Sequence, residues 1–238
     1  MKRILPAALV LVVLALIAGH VFLGATVFRL YRAYNALRLD PLGLRSAPLP
    51  PSGHYDILLM GDSLAEQWTF PEGSVANAGR HAQTSAQILL RMQRLDADLH
   101  ADLFLLSAGG NDLKTLRTDP DCAPVIIQSA LANLREILRL AHRHSPRIHV
   151  LTIPPIPSVP LHLRPFKSTR VMLDALDALN AGIREVAAEE GAAAIDCQRV
   201  FEGLDPADIH ASDGLHLSET AYERLRDHLR ANQPGAAP

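Results

Sequence analysis

Three short stretches of the chain carry side chains that could together run acyl transfer through a serine. Ser63 lies in Asp56-Ile-Leu-Leu-Met-Gly-Asp-Ser-Leu64, where an apolar run of strand length, residues 57–60, is broken by Gly61 and followed by small polar residues. Asn111 stands at the tip of a glycine turn that ends a second apolar run, in Leu103-Phe-Leu-Leu-Ser-Ala-Gly-Gly-Asn-Asp112. Asp213-Gly-Leu-His216 sets a carboxylate three residues before an imidazole, a spacing that lets both come from one turn. A serine hydroxyl is a poor nucleophile until a neighbouring base takes its proton. An imidazole is such a base when a carboxylate holds its far nitrogen and stabilises the imidazolium that forms. The stretches thus supply a nucleophile, an amide donor, a base and an orienter, in the order Ser, Asp, His.

Each stretch alone is ordinary, since a Gly-Asp-Ser triplet occurs in many strand-to-helix turns. The residue two past the serine is Ala65, which excludes the Gly-x-Ser-x-Gly elbow of the α/β-hydrolases. Asp62, Asn111, Asp112, His210, Asp213 and His216 are metal-ligand types. They lack a close His pair on a helix turn or any Cys pair, and a metal would leave Ser63 without a role. No metal and no other cofactor is expected.

For these side chains to meet, the elements that carry them must end on one edge. Apolar runs at 57–60, 103–107 and 149–153 read as buried strands, with weaker ones near 74–77 and 193–196. Between them, Ile127, Leu131, Leu134, Leu138 and Ala141 fall on one helical face, as do Met172, Leu176, Leu179, Ile183 and Val186. This alternation predicts an α/β fold, a parallel, doubly wound sheet with helices on both faces. Each motif follows the carboxyl end of an element, and parallel strands bring those ends together. The proline-rich residues 153–160 reach the same edge, as a stiff loop or as a substrate rim.

At these motifs the chain resembles the SGNH hydrolase superfamily, the GDSL esterases, whose blocks are Gly-Asp-Ser, a glycine after the second strand, Gly-x-Asn-Asp and Asp-x-x-His. All but the second are clearly present, in the family's order, and the resemblance covers residues 55–231. Gly61-Asp-Ser-Leu-Ala-Glu-Gln-Trp68 with Asn77-Ala-Gly-Arg-His-Ala-Gln-Thr-Ser85 is most similar to the branch of carbohydrate acetylesterases and platelet-activating-factor acetylhydrolase-like proteins. The resemblance implies a three-layer α/β/α sandwich with a flavodoxin-like sheet. It also implies a serine esterase, with Ser63, Asp213 and His216 as its triad, that hydrolyses a small acyl ester through an acyl-enzyme. The ester would be acetyl above all, on an envelope carbohydrate or lipid. Lysophospholipase or thioesterase activity is the neighbouring alternative, and a non-catalytic member that binds an acylated polymer the more distant one.

The family's oxyanion hole maps onto the backbone N–H of Ser63, a backbone N–H in the second block and the side-chain amide of Asn111. In that second block the chain departs from the family, since Ala82 stands where glycine is usual and Gly79 falls three residues early. Gly79, Gly109 and Trp68 are the expected substrate contacts, with Trp68 alternatively a core residue of the first helix of the domain. His81, in the same loop as Ala82, could also touch substrate. Asp62 and Asp112 are expected to fix their turns by hydrogen bonds.

Residues 4–28 carry no Asp, Glu, Lys or Arg, follow Lys2 and Arg3, and at helical rise are long enough to cross a bilayer's hydrocarbon core. The expected organisation is a membrane anchor over 1–28, a linker over 29–54, the hydrolase domain over 55–231 and a tail over 232–238. A cleaved signal peptide competes, but the apolar run continues past Ala18 to Phe28 with no clear small-x-small site before a polar start. Arg29, Arg32, Arg38 and Arg45 follow the span, and the positive-inside count alone would leave the domain in the cytoplasm. The charged start resembles an uncleaved export signal, and many family members act outside the cytoplasm. Both point instead to a single-pass inner-membrane protein with a periplasmic domain. The remaining composition, 48% hydrophobic with a net charge of −2 over 238 residues, suits one domain plus an accessory segment and shows no basic excess for nucleic acid. Cys122 and Cys197 are too few for a disulfide framework.

Overall fold

Leu58 and Met60 point into one core and Leu59 into another, so strand β1 (Gly53–Gly61) is apolar on both faces because both are covered. The same alternation runs along β3 (Leu99–Ser107), where Phe104 and Leu106 enter the first core and Leu103 and Leu105 the second. With β2 (Val75–Gly79), β4 (Ile148–Leu151) and β5 (Ala193–Ile195) these strands form one parallel sheet in the order β2-β1-β3-β4-β5. The computed structural model describes residues 4–156 and 167–232. Lys2, Arg3, residues 157–160 of the proline-rich segment and residues 233–238 of the expected tail lie outside the described residues.

Helices α3 (Ser85–Met92), α4 (Ala123–Ala141) and α5 (Lys167–Glu189) cover the first face. Ile88 is buried there, and so are Leu134, Leu138, Leu179, Ile183 and Val186, as the helical periodicity predicts for α4 and α5. The second face is covered by the short helices α2 (Ser63–Gln67), α6 (Cys197–Val200) and α7 (Pro206–Ile209) together with α8 (Glu219–Ala231). Ala65, Phe201, Tyr222 and Leu225 fill that core. The result is the three-layer α/β/α sandwich with the flavodoxin-like strand order. Cys122 and Cys197 are both free thiols, and burial pushes that of Cys197 up to about 12.

Residues 1–45 form a separate unit, in which helix α1 (Ile4–Leu39) is long and apolar enough to cross a membrane. The helix does not stop at Phe28, and the expected linker is helical as far as Leu39. Residues 29–39 contain neither glycine nor proline, whereas Pro41 disfavours helix at the residue before it and Gly43 takes a left-handed φ of 67°.

The sheet register decides what can meet. Gly61 at the end of β1 is paired with Gly79 on one side and with Ser107 on the other. Three chain segments therefore leave the sheet at one level, carrying Ser63, Ala82 and Asn111, and the strand order reverses between β1 and β3 at this point. Such a switch point leaves a crevice at the carboxyl edge of the sheet.

Candidate active site

Gly61 is dictated by that crowding. Its φ is 148°, and a Cβ there would sit 2.2 Å from the Ser107 carbonyl oxygen. Asp62 then caps α2, accepting the Leu64 N–H at 3.0 Å and the Ser107 hydroxyl at 2.9 Å. A five-residue helix cannot stand by itself, and neighbours hold it from outside. Asn77 donates to the carbonyls of Ala65 and Glu66 at 2.9 and 3.2 Å, and the Tyr222 hydroxyl donates to that of Leu64 at 3.0 Å. Ser63 is the first residue of α2, half-buried, so its N–H is one of the donors that a helix start leaves without an intrahelical partner.

Gly79 packs against the same helix, where a Cβ would lie 2.3 Å from the Glu66 nitrogen. Its own N–H is taken by the Asn77 side chain at 2.8 Å, which removes Gly79 as an alternative oxyanion donor. Ala82 is the sole described non-glycine residue with a positive φ, 61°. The next residue, Gln83, offers its carbonyl to the Asn111 amide at 2.9 Å, so one Asn111 N–H ties the two loops together and the other stays available. Asp112 accepts both the backbone N–H and the hydroxyl of Ser85, at 2.8 and 2.6 Å, and thereby docks the turn after β3 on the start of α3. Both aspartates beside the motif residues thus do the turn-fixing expected of them.

The third block sits on a loop closed at its neck. His210 bridges to Leu217, and Ser218, the N-cap of α8, donates its N–H to Ile209 at 3.0 Å and its hydroxyl to Asp208. At the tip, Gly214 takes the left-handed φ of 64°, which turns the chain back from Asp213 to His216. The Asp213 carboxylate accepts the His216 ring Nδ1 at 2.5 Å and the backbone N–H groups of Leu215 and His216 at 2.9 and 3.0 Å. The ring bond first, and the two N–H groups after it, hold the Asp213 carboxyl well below the usual carboxylate range. An ionised carboxylate only accepts, so Nδ1 carries the hydrogen and Nε2 is left as the basic nitrogen.

Ser63, Gly110, Asn111, Gly214 and Leu215 line one cleft, closed by Leu113 and by Ile153 to Ile156 after β4, with Met172 and Leu176 of α5. The described part of the proline-rich segment is therefore a wall of this cleft. No hydrogen bond joins Ser63 to His216 among the described residues, and such bonds commonly tighten only when substrate is bound. Ala82, Gly79, Gly109, Asp213 and His216 are absent from the described lining, the last two being represented there by Gly214 and Leu215 of their loop. Trp68 is absent too, contrary to its expected contact with substrate. It is 2% exposed and packs on Phe70 and Tyr222 in the second core, because α2 ends at Gln67 and the extended Trp68 turns back beneath the sheet. His81 pairs with Glu66 at 3.0 Å instead of facing the cleft. Lys114, Arg117 and His210 line it and carry no motif signal; their positions follow only from the fold.

Burial raises the Asp62 carboxyl to about 6. A folded value above the unfolded one means that the native state binds the extra proton. Stability is then lost as pH rises from about 4 through about 6. Asp62→Asn keeps the cap and removes this loss, so its melting midpoint should gain on wild type as pH is raised from 4 to 7. The ceiling is about 3 kcal/mol, or several degrees for a domain of this size. Thermal melts of both proteins across that range check it; a gap that does not grow with pH contradicts it.

The GDSL-like lipase/acylhydrolase family model matches residues 59–224. Among curated proteins, none is similar enough in sequence to be matched. The fold is shared with an acetylxylan esterase, Axe2 of Geobacillus stearothermophilus, at 20% identity and a TM-score of 0.57, over 79% of this chain and 97% of that one. It is also shared with a GDSL-like lipase of Bacteroides thetaiotaomicron at 19% identity and a TM-score of 0.55, over 74% and 85% of the two chains. With the motif turns meeting at one sheet edge and the family model spanning most of the domain, the chain belongs to the GDSL-like lipase/acylhydrolase family of ester hydrolases.

Proposed function

We propose that the protein is a serine esterase that removes a small acyl group, acetyl foremost, from a carbohydrate or lipid of the cell envelope. The observation that carries this reading is the 2.5 Å Asp213–His216 pair on the loop whose Gly214 and Leu215 line the cleft together with Ser63 and Asn111. In the reaction, His216 Nε2 takes the Ser63 proton as the oxygen attacks the acyl carbon. The charge that forms on the acyl oxygen is met by N–H donors, and the alcohol leaves with the proton from His216. Water, activated by the same ring, then releases the acid from the acyl-enzyme. A small acyl group is supported by the cleft, which at about 190 Å³ is below the roughly 300–1,000 Å³ of drug-sized ligand sites. Acetyl is supported by the acetylxylan esterase among the structural neighbours. A series of p-nitrophenyl esters from acetate to dodecanoate tests the reading. The expected result is the highest kcat/KM at acetate, and a rise toward long chains overturns the small-acyl preference.

The proposed oxyanion hole consists of the N–H groups of Ser63 and Ala82 and the free N–H of Asn111. Asn111→Ala should lower kcat by roughly a hundredfold or more with KM little changed, since the lost bond belongs to the transition state. The left-handed Ala82 costs about 1–2 kcal/mol, whereas glycine there would lose about 0.5–1 kcal/mol more chain entropy on folding. Ala82→Gly should therefore keep kcat within about twofold and raise the melting midpoint by at most a few degrees. Ala82→Pro deletes the N–H and fixes φ on the wrong side, and should be nearly inactive. An active Ala82→Pro protein would remove Ala82 from the hole.

Helix α1 is read as an uncleaved anchor that leaves the domain outside the cytoplasm. Full-length protein should resist alkaline carbonate extraction, and a periplasmic reporter fused after Pro238 should be active. An active cytoplasmic reporter would reverse the orientation and vindicate the arginine count.

A further inference from the structure

Lys114 and Arg117 line the cleft beside Ser63 and Asn111, and neither takes part in the proposed steps. Both stand on the 3₁₀ turn Asp112–Arg117, where residues three apart eclipse one another along the axis. Leu113 and Leu116 repeat at the same interval and are buried, so one edge of the turn is clamped in the core while the next carries the two cations. Both basic side chains are exposed, and among the described residues neither has an ion-pair or side-chain hydrogen-bond partner. The acid on the described lining is Asp62, which is buried and already engaged by Leu64 and Ser107. Lys114 lies close enough to favour the charged form of that carboxyl, which puts its ammonium within electrostatic reach of the nucleophile's turn. The rest of the described lining is mostly apolar, Leu113, Ile153, Met172 and Leu176 among it.

An apolar interior beside two cations that have no ion-pair partner among the described residues suits a molecule that is apolar at the carbonyl end and anionic at the other. We infer that the cleft selects acyl esters whose alcohol portion carries a phosphate or a carboxylate, held by Lys114 and Arg117 at the rim while the acyl group lies against Leu113 and Leu176. Arginine supplies a fork that fits either anion through two parallel bonds, and lysine supplies a point charge. The inference rests on the esterase reading of Ser63 and narrows its substrate class.

The test uses the full-length protein in detergent and three aryl acetates that differ in one substituent: 4-acetoxyphenyl phosphate, 4-acetoxybenzoate and the neutral 4-acetoxybenzamide. The wild-type kcat/KM ratio of each anion to the amide, divided by the same ratio in a Lys114→Gln/Arg117→Gln protein, cancels differences in leaving-group reactivity. That quotient should be about tenfold or more at low salt, the scale of charge-assisted bonds. It should fall toward one in 1 M salt, where screening acts over about 3 Å against about 10 Å at 0.1 M. Lys114→Arg/Arg117→Lys, which keeps both charges, should retain it. The larger quotient of the two anions names the preferred one. A quotient near one, with the amide ester hydrolysed, overturns the inference and leaves the esterase reading intact. Calorimetric titration of Ser63→Ala protein with the same esters reads binding without turnover. Tighter binding of the anionic esters supports the inference even if the esterase reading fails, and equal binding overturns it.

Discussion

Ser63→Ala is expected to lower kcat on p-nitrophenyl acetate by roughly 10⁴-fold or more, the scale on which removal of an activated nucleophile is felt. The fold should barely register the change. Ser63 is half-buried, its hydroxyl has no hydrogen bond among the described residues, and alanine is a strong helix former at the start of α2. No buried donor or acceptor loses a partner, so the melting midpoint should stay within a few degrees of wild type. Turnover and melting measured on one preparation separate a lost nucleophile from a lost fold. Activity within tenfold of wild type would move the chemistry to another residue.

His216→Ala should cost about as much, and the Ser63→Ala/His216→Ala double variant should be no worse than either single one. The reason is the geometry of the third block. Asp213 holds Nδ1 at 2.5 Å and leaves Nε2 as the proton acceptor, so a serine without this ring is an ordinary alcohol, and the ring without the serine has nothing to activate. Residues that act as a unit lose their effect together rather than in proportion. The backbone bond from Ala211 to the His216 carbonyl, at 2.9 Å, survives the substitution, which keeps the loop closed. Losses that multiply in the double variant would show that the two side chains act independently and that the proposed pair is wrong.

Much of this arrangement is legible in the sequence because it is local. Two apolar runs that end in glycine turns announce β1 and β3, and the parallel order follows from the helices between them. Asp213 and His216 are three residues apart, so their pairing needs no knowledge of the fold. What the sequence conceals is set by contacts between distant residues. Trp68 is open to either a pocket or a core reading from its place in the first block, and Tyr222, more than a hundred and fifty residues later, is part of what makes it core. Gly79 and Ala82 look interchangeable until Asn77 is seen to consume the Gly79 N–H. Lys114 and Arg117 belong to no motif block, and only the walls supplied by α5 and the segment after β4 turn them into lining. The short helices α6 and α7 are four residues each, too brief for any periodicity to declare them.

In the proposed reaction Ser63 becomes covalently acylated, and a fluorophosphonate, which traps an activated serine, reads that step. Intact-mass analysis of the full-length protein should show one adduct per chain, and peptide mapping should place it on Ser63. His216→Ala protein should react far more slowly, and Ser63→Ala protein not at all. An adduct on any other residue, or one that persists in Ser63→Ala protein, would mean that Ser63 is not the nucleophile.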